Sequence, residues 1–126
     1  MAQGHDTQIL KGVLSMLLLR LLDIQEDYGY SVVVRLHNSG FDHLTEGTVY
    51  PALTRLESKG LLSSRLVPSP SGPARKYYQL TPEGLIELDR SSTAWADLSS
   101  NVERAMSSGS PTPEQTPITQ KEAADV

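Results

Sequence analysis

The sequence contains no cysteine. That removes disulfides, thiolate metal sites and cysteine nucleophiles together, and it suits a reducing cytoplasm. Long hydrophobic runs are missing as well: the longest uncharged apolar-rich stretch, Gly12 to Leu19, falls far short of the ~20 residues that cross a bilayer. The polar start, MAQGHDTQ, has neither the basic region nor the small-residue cleavage site of a signal peptide. His5, His37 and His43 show no paired metal-ligand spacing. No serine sits in a nucleophile-elbow setting, and no glycine-rich loop suits a phosphate cofactor. The expectation is a cytoplasmic protein that is not an enzyme, with no metal, no cofactor and no membrane partner.

What is present is one modest core in 126 residues, 38% of them hydrophobic. The formal charge of −4 argues against a polyanionic partner until its distribution is considered. Between Thr45 and Tyr78, Arg55, Lys59, Arg65, Arg75 and Lys76 outnumber Glu46 and Glu57, a net +3, whereas the chain from Pro82 onward is −5. The basic charge is local.

Residues 1–7 carry no periodicity and read as a flexible arm. From Gln8 to Leu22, apolar residues including Leu10, Leu14, Leu17, Leu18 and Leu21 cover nearly the whole circumference of a helix. A helix apolar all round needs partners on two sides, which in so small a domain calls for a second subunit. Asp23 to Tyr28 reads as a polar connection. Tyr30 to His37 resumes helical spacing between Gly29 and Asn38-Ser39-Gly40.

The stretch Leu44 to Leu62 predicts a third helix, with Thr45 as a side-chain N-cap and Gly60 ending it in a left-handed turn. Val49, Ala52, Leu53 and Leu56 form one apolar stripe. Gly47, Thr48, Pro51, Thr54, Arg55 and Ser58 lie on the opposite side, with Tyr50 at the flank. Hydroxyls, an aromatic ring and a cation are not what a merely solvated helix carries. Pro51 costs one main-chain bond and presses on the Gly47 carbonyl, so a continuous helix with a distorted first turn is expected.

Leu61 to Val67 and Lys76 to Leu80 read as strands. The seven residues between them, Pro68 to Ala74, are almost all turn formers and predict a loop too long for a tight hairpin, with Arg75 and Lys76 at the base of the resulting wing. Thr81-Pro82-Glu83 then opens a last helix by hydroxyl cap, proline in the first turn and an acid at the positive dipole end. Leu85, Leu88, Ser92, Trp95, Ser99, Val102 and Met106 recur along it at three and four residues. From Ser107 the composition is that of a disordered tail.

The fold class read from this order is mainly α with a small β-wing: a winged helix-turn-helix over residues 8–81, a C-terminal dimerisation helix over 82–106 and a tail over 107–126. In that architecture the third helix enters the DNA major groove. The chain also resembles the PadR transcriptional regulators, through Tyr28-Gly29-Tyr30, the block from Thr45 to Glu57 with Lys59-Gly60-Leu61, and Arg75-Lys76-Tyr77-Tyr78 followed by Leu80-Thr81-Pro82-Glu83-Gly84. The resemblance spans residues 8 to 106. It implies a homodimeric, sequence-specific DNA-binding regulator, usually a repressor, on a palindromic operator. The DNA-binding residues would be Tyr30, Thr48, Tyr50, Pro51, Thr54, Arg55, Lys59, Arg75 and Lys76. The dimer interface would use Leu10, Leu14, Leu17, Leu21, Leu88, Trp95, Val102 and Met106. It further implies release by a small aromatic effector in the dimer core, with Trp95, Leu14 and Leu18 as the matching residues.

Several of these residues admit a plainer reading. Trp95 can serve as interface filler rather than ligand platform. Tyr50 can simply pack, and Arg55 can pair with Glu46 or Glu57 on the helix surface. One of Tyr77 and Tyr78 should pack inward while its neighbour covers the wing. The competing function is a winged-helix protein-interaction module without an effector.

Overall fold

The computed structural model describes residues 7–109. Its elements run α1 (Thr7–Ile24), β1 (Asp27–Tyr28), α2 (Gly29–Asn38), α3 (Glu46–Ser58), β2 (Leu62–Ser69), β3 (Gly72–Leu80) and α4 (Pro82–Met106). The expected arm lies outside the described residues except for Thr7, which is already helical, and of the expected tail only residues 107–109 are described. Two compact units divide the chain, residues 1–93 and 94–126.

In the first unit the apolar stripe of α3 is the centre of the core. Val49, Ala52, Leu53 and Leu56 are buried, and with them Val32, Val33 and Leu36 of α2 and Leu14, Leu18, Leu19 and Leu22 of α1. The described part of the second unit is the far half of α4, whose Trp95, Leu98, Val102 and Met106 are exposed.

Thr45 stands at the N-cap position of α3, and its carbonyl accepts the Thr48 and Val49 N–H groups at 3.0 and 2.9 Å. Its side chain makes no capping bond, so the hydroxyl role read from the sequence is corrected: the main chain alone starts this helix. At the other end Lys59 N–H bonds to the Arg55 carbonyl and Gly60 takes φ +79°, a conformation that costs least without a Cβ. The helix continues through Pro51. For α4 the side-chain cap is real, with Thr81 Oγ1 accepting the Gly84 N–H at 2.9 Å while its own hydrogen goes to the Gly60 carbonyl at 2.7 Å. One threonine thus ties the start of α4 to the end of α3.

The wing differs from the sequence reading in two ways. It is a tight hairpin: Ser69 pairs with Gly72, so only Pro70 and Ser71 form the turn, and the register shifts between the Val67–Arg75 and Ser69–Gly72 pairs, where Pro73 and Ala74 of β3 stand opposite Pro68 alone. A bulge lets paired strands pass residues that have no N–H to give. The sheet also has three strands rather than two, in the order β1-β3-β2, because Asp27 and Tyr28 pair antiparallel with Tyr78 and Tyr77. The segment read as a polar connection therefore carries a strand. It is fixed there by Asp27, which is 4% exposed and accepts hydrogen bonds from its neighbour's N–H (2.9 Å), Ser31 Oγ (2.7 Å) and Arg35 Nη1 (3.1 Å). Arg35 Nη2 donates in turn to the Leu21 carbonyl at 2.8 Å, joining α1, β1 and α2.

Candidate nucleic-acid interface

The outer face of α3 is free. Thr48, Pro51, Thr54, Arg55 and Lys59 are exposed, on the side opposite Val49 and Leu53, which are fully buried. Among the described residues Arg55 forms no ion pair, so the surface pairing with Glu46 or Glu57 is not made. The α2–α3 turn that aims this face is held by His37, whose Nε2 lies 2.6 Å from the Leu44 carbonyl oxygen and donates to it.

Beside that face, α2, α3 and the wing enclose a groove of about 280 Å³ lined by Tyr28, Gly29, Tyr30, Tyr50, Arg75, Lys76 and Tyr78. Tyr50 packs down onto α2 because position 29 has no side chain: a Cβ there would lie 2.5 Å from the Tyr50 ring carbon Cε1. Tyr50 nevertheless remains 42% exposed, so it packs against α2 without being buried. Its phenol is pushed above the ordinary value, first by burial and then by Glu46 and the neighbouring tyrosines, so it stays protonated and able to donate. The Arg75 guanidinium lies 4.5 Å from the centre of the Tyr28 ring, a cation–π contact. Tyr28 in turn meets Tyr77 at 5.2 Å, while Tyr78 is the inward-packed member of its pair.

Two wing cations are already engaged. Lys76 Nζ stands 3.0 Å from Glu57 Oε1, and the second oxygen of that carboxylate accepts Ser64 Oγ at 2.6 Å. Those two bonds, Ser64 first, hold the Glu57 pKa below the usual carboxylate range. Arg65 binds Glu26 through two parallel bonds of 2.7 and 2.9 Å. Arg75 has no carboxylate partner among the described residues, which distinguishes it from Lys76.

Residues 18–90 match the profile of the transcriptional regulator PadR-like family. The chain belongs to the PadR-like family of transcriptional regulators. Solved structures of transcriptional regulators agree with this. A PadR-like transcriptional regulator from Bacillus cereus is 35% identical, with a TM-score of 0.75 over 82% of this chain and 100% of its own. A Streptococcus transcriptional regulator is 40% identical, with a TM-score of 0.73 over 80% and 99% of the two chains. A PadR family transcriptional regulator from Eggerthella lenta is 35% identical, with a TM-score of 0.74 over 81% and 88%. PadR regulators bind DNA, typically as dimers, and the winged helix with its C-terminal helix is their fold.

Against the PadR frame, the nine residues expected at DNA fall into two groups. Thr48, Pro51, Thr54, Arg55 and Lys59 share the face of α3, while Tyr30, Tyr50, Arg75 and Lys76 share the groove. Of the residues expected at an effector site or a dimer interface, Leu14, Leu18 and Leu88 are buried in the first unit's own core, Leu18 completely, and Leu14 also lines a cavity with Leu10, Phe41 and His43. Leu10, Leu17 and Leu21 remain partly exposed. Among the described residues no helix is long and apolar enough to cross a membrane, and no group of three or more His, Asp or Glu side chains could hold a metal.

The sequence reading missed Asp27, Glu26 and the steric roles of Gly29 and Gly84. A Cβ at Gly84 would collide with the Leu61 carbonyl oxygen. Both glycines stand inside motifs that carry the PadR resemblance, yet nothing local says what presses on them.

Proposed function

We propose that the protein represses transcription by binding a palindromic operator as a homodimer, with α3 of each subunit in the major groove. The observation that carries this reading is the two-sidedness of α3: its inner stripe is sealed in the core, and its outer face offers Thr48, Pro51, Thr54 and the unpaired Arg55. Threonine and arginine side chains can read base edges, and arginine and lysine can hold phosphates. Residues 8–81 act as the DNA-binding part, and residues 82–106 supply a dimerisation helix through Trp95, Val102 and Met106, against Leu10, Leu17 and Leu21 of the other copy. A two-fold dimer would set its recognition helices ~34 Å apart, one DNA turn. A DNA operator makes the cytoplasm its place of work.

Gel shift and footprinting on the DNA upstream of the protein's own gene test this. The expected result is a salt-sensitive complex protecting two half-sites about one turn apart. Absence of any specific complex with palindromic DNA would instead favour a winged helix used for protein interaction.

A second reading, release by a small aromatic compound, rests on Trp95 at 42% exposure in the far half of α4. Its emission should shift on titration with the effector while DNA affinity falls. Unchanged emission and affinity across a panel of aromatic acids and planar drugs would remove this reading and leave repression intact.

A further inference from the structure

A second cavity, of about 260 Å³, is bounded by α1, the turn between α2 and α3, and the first turn of α3, all within the first unit. Leu14 and Leu44 in its lining are buried core side chains, and Leu10 and Phe41 beside them are half-buried. Lys11, His43 and Thr48, all exposed, supply its polar part. A mostly apolar hollow with a few polar groups is the usual make-up of a small-molecule site. One wall is fixed in advance. The Phe41 N–H donates to the Leu36 carbonyl at 2.9 Å, the Leu44 N–H to the Phe41 carbonyl at 3.2 Å, and His37 Nε2 to the Leu44 carbonyl at 2.6 Å. A wall already ordered spares that cost when a ligand binds. The two cations differ in availability. His43 Nδ1 lies 3.4 Å from Asp42 Oδ1, so a carboxylate already faces it, whereas Lys11 forms no ion pair among the described residues.

We propose that this cavity binds an aliphatic monocarboxylate, with the Lys11 ammonium and the Thr48 hydroxyl on the carboxylate and the chain against Leu10, Leu14, Phe41 and Leu44. One uncompensated cation beside an apolar lining matches a molecule with one negative head and an apolar body. Three leucines to a single ring offer methyl surface rather than a stacking slot, which favours a flexible chain over a flat one. No residue of α4 belongs to the lining, so the seat is separate from the Trp95 reading. Binding stands without the DNA reading, and its consequence rests on that reading. Thr48 belongs both to the cavity and to the exposed face of α3, so the bound carboxylate brings negative charge to the surface proposed for DNA. Each ligand then weakens the other by the same factor.

Octanoate, butanoate and octylamine are titrated into full-length wild type and Lys11→Gln, with leucine methyl groups and the Trp95 indole followed by NMR. Octanoate should shift Leu10, Leu14 and Leu44 and leave Trp95 still. Butanoate, short of methylenes to bury, should bind about a hundredfold more weakly, and octylamine, with the wrong charge, not at all. Lys11→Gln should weaken octanoate about tenfold, keep wild-type affinity for operator DNA in its absence, and blunt the loss of operator affinity that octanoate causes in wild type. Equal octanoate affinity in Lys11→Gln, or octylamine binding as tightly, would overturn the proposal. Shifts centred on Trp95 would overturn it too, by moving the ligand to α4. If wild type ignores octanoate while a Leu98→Glu/Val102→Glu double variant binds it, a partner subunit fills the cavity and the proposal falls. Octanoate binding with operator affinity unchanged would refute the coupling. Failure of wild type to bind any DNA defeats the repressor reading alone, since the methyl shifts decide the seat without DNA.

Discussion

Glu57, near the end of α3, holds Lys76 of the wing at 3.0 Å. On the proposed DNA surface such a pair subtracts from phosphate binding, since the cation must leave its partner or share itself. Glu57→Gln should therefore raise affinity for unrelated DNA and steepen the salt slope by about one, as Lys76 becomes free. The amide oxygen can still accept from Ser64 Oγ, and the lost surface pair costs stability about 1 kcal/mol or less. Fluorescence anisotropy at several salt concentrations measures the effect, and a fall in affinity would mean that Glu57 aims Lys76 rather than restraining it.

Two glycines should respond differently to alanine. At Gly84 the new methyl would meet the Leu61 carbonyl oxygen, main chain on both sides with nowhere to move. Gly84→Ala is expected to cost about 1–3 kcal/mol in urea unfolding. At Gly29 the obstacle is the half-exposed Tyr50 ring, which can swing away. Gly29→Ala should leave the melting temperature nearly unchanged and weaken DNA binding.

Asp27 makes the opposite case, a polar residue whose loss is structural. Asp27→Ala would leave Arg35, whose side chain is 20% exposed, without its carboxylate, and would unfasten β1 from α2. Removing one partner of a buried pair strands the other, and a loss of about 3 kcal/mol is expected in denaturant unfolding.

The contrast between these sites explains what the sequence could tell. Helix boundaries in α3 and α4 were legible because glycine, proline and hydroxyl signals act within four residues of the chain, although the Thr45 hydroxyl turned out unused. The buried stripe of α3 was legible from spacing alone. The tight turn at Pro70-Ser71 was hidden because a run of turn formers does not say where pairing resumes, and the bulge of Pro73 and Ala74 opposite Pro68 carries both strands through prolines that normally end them. Two-residue β1 owes its existence to a partner strand about fifty positions away. Periodicity marks the apolar faces that carry Leu14, Leu18 and Leu88 without saying which neighbours pack on them, here the first unit's own core.

Acid titration offers a local readout at the start of α4. The Glu87 carboxyl is lowered to about 2, first by its hydrogen bonds from Arg90 and then by Ser91. Because the folded value lies below the unfolded one, the stabilisation is complete at neutral pH and declines as pH falls from about 4.5 toward about 2. Arg90 is well exposed, so solvent limits the contribution to about 1 kcal/mol or less. Glu87→Gln should flatten the stability profile in that window and lower stability by about 1 kcal/mol or less at neutral pH, where the stabilisation is complete, as followed by unfolding at each pH.

The far half of α4 leaves Trp95, Leu98, Val102 and Met106 in solvent, four large apolar side chains within twelve residues of a helix. Ser92, Ser99 and Ser100 interrupt them, so the helix has too little apolar surface for an independent coiled coil and needs another apolar surface beside it. Paired Leu98→Glu and Val102→Glu substitutions would introduce charges that cannot be buried without partners. The wild-type chain should sediment as a dimer, and the double variant as the 13.8 kDa monomer at micromolar concentration. Because the substituted residues belong to the second unit, the winged helix should keep its melting transition, while operator affinity drops toward that of unrelated DNA as the two half-sites come to be bound one subunit at a time. A wild-type chain already monomeric at these concentrations would defeat the two-fold arrangement and leave each winged helix to bind alone.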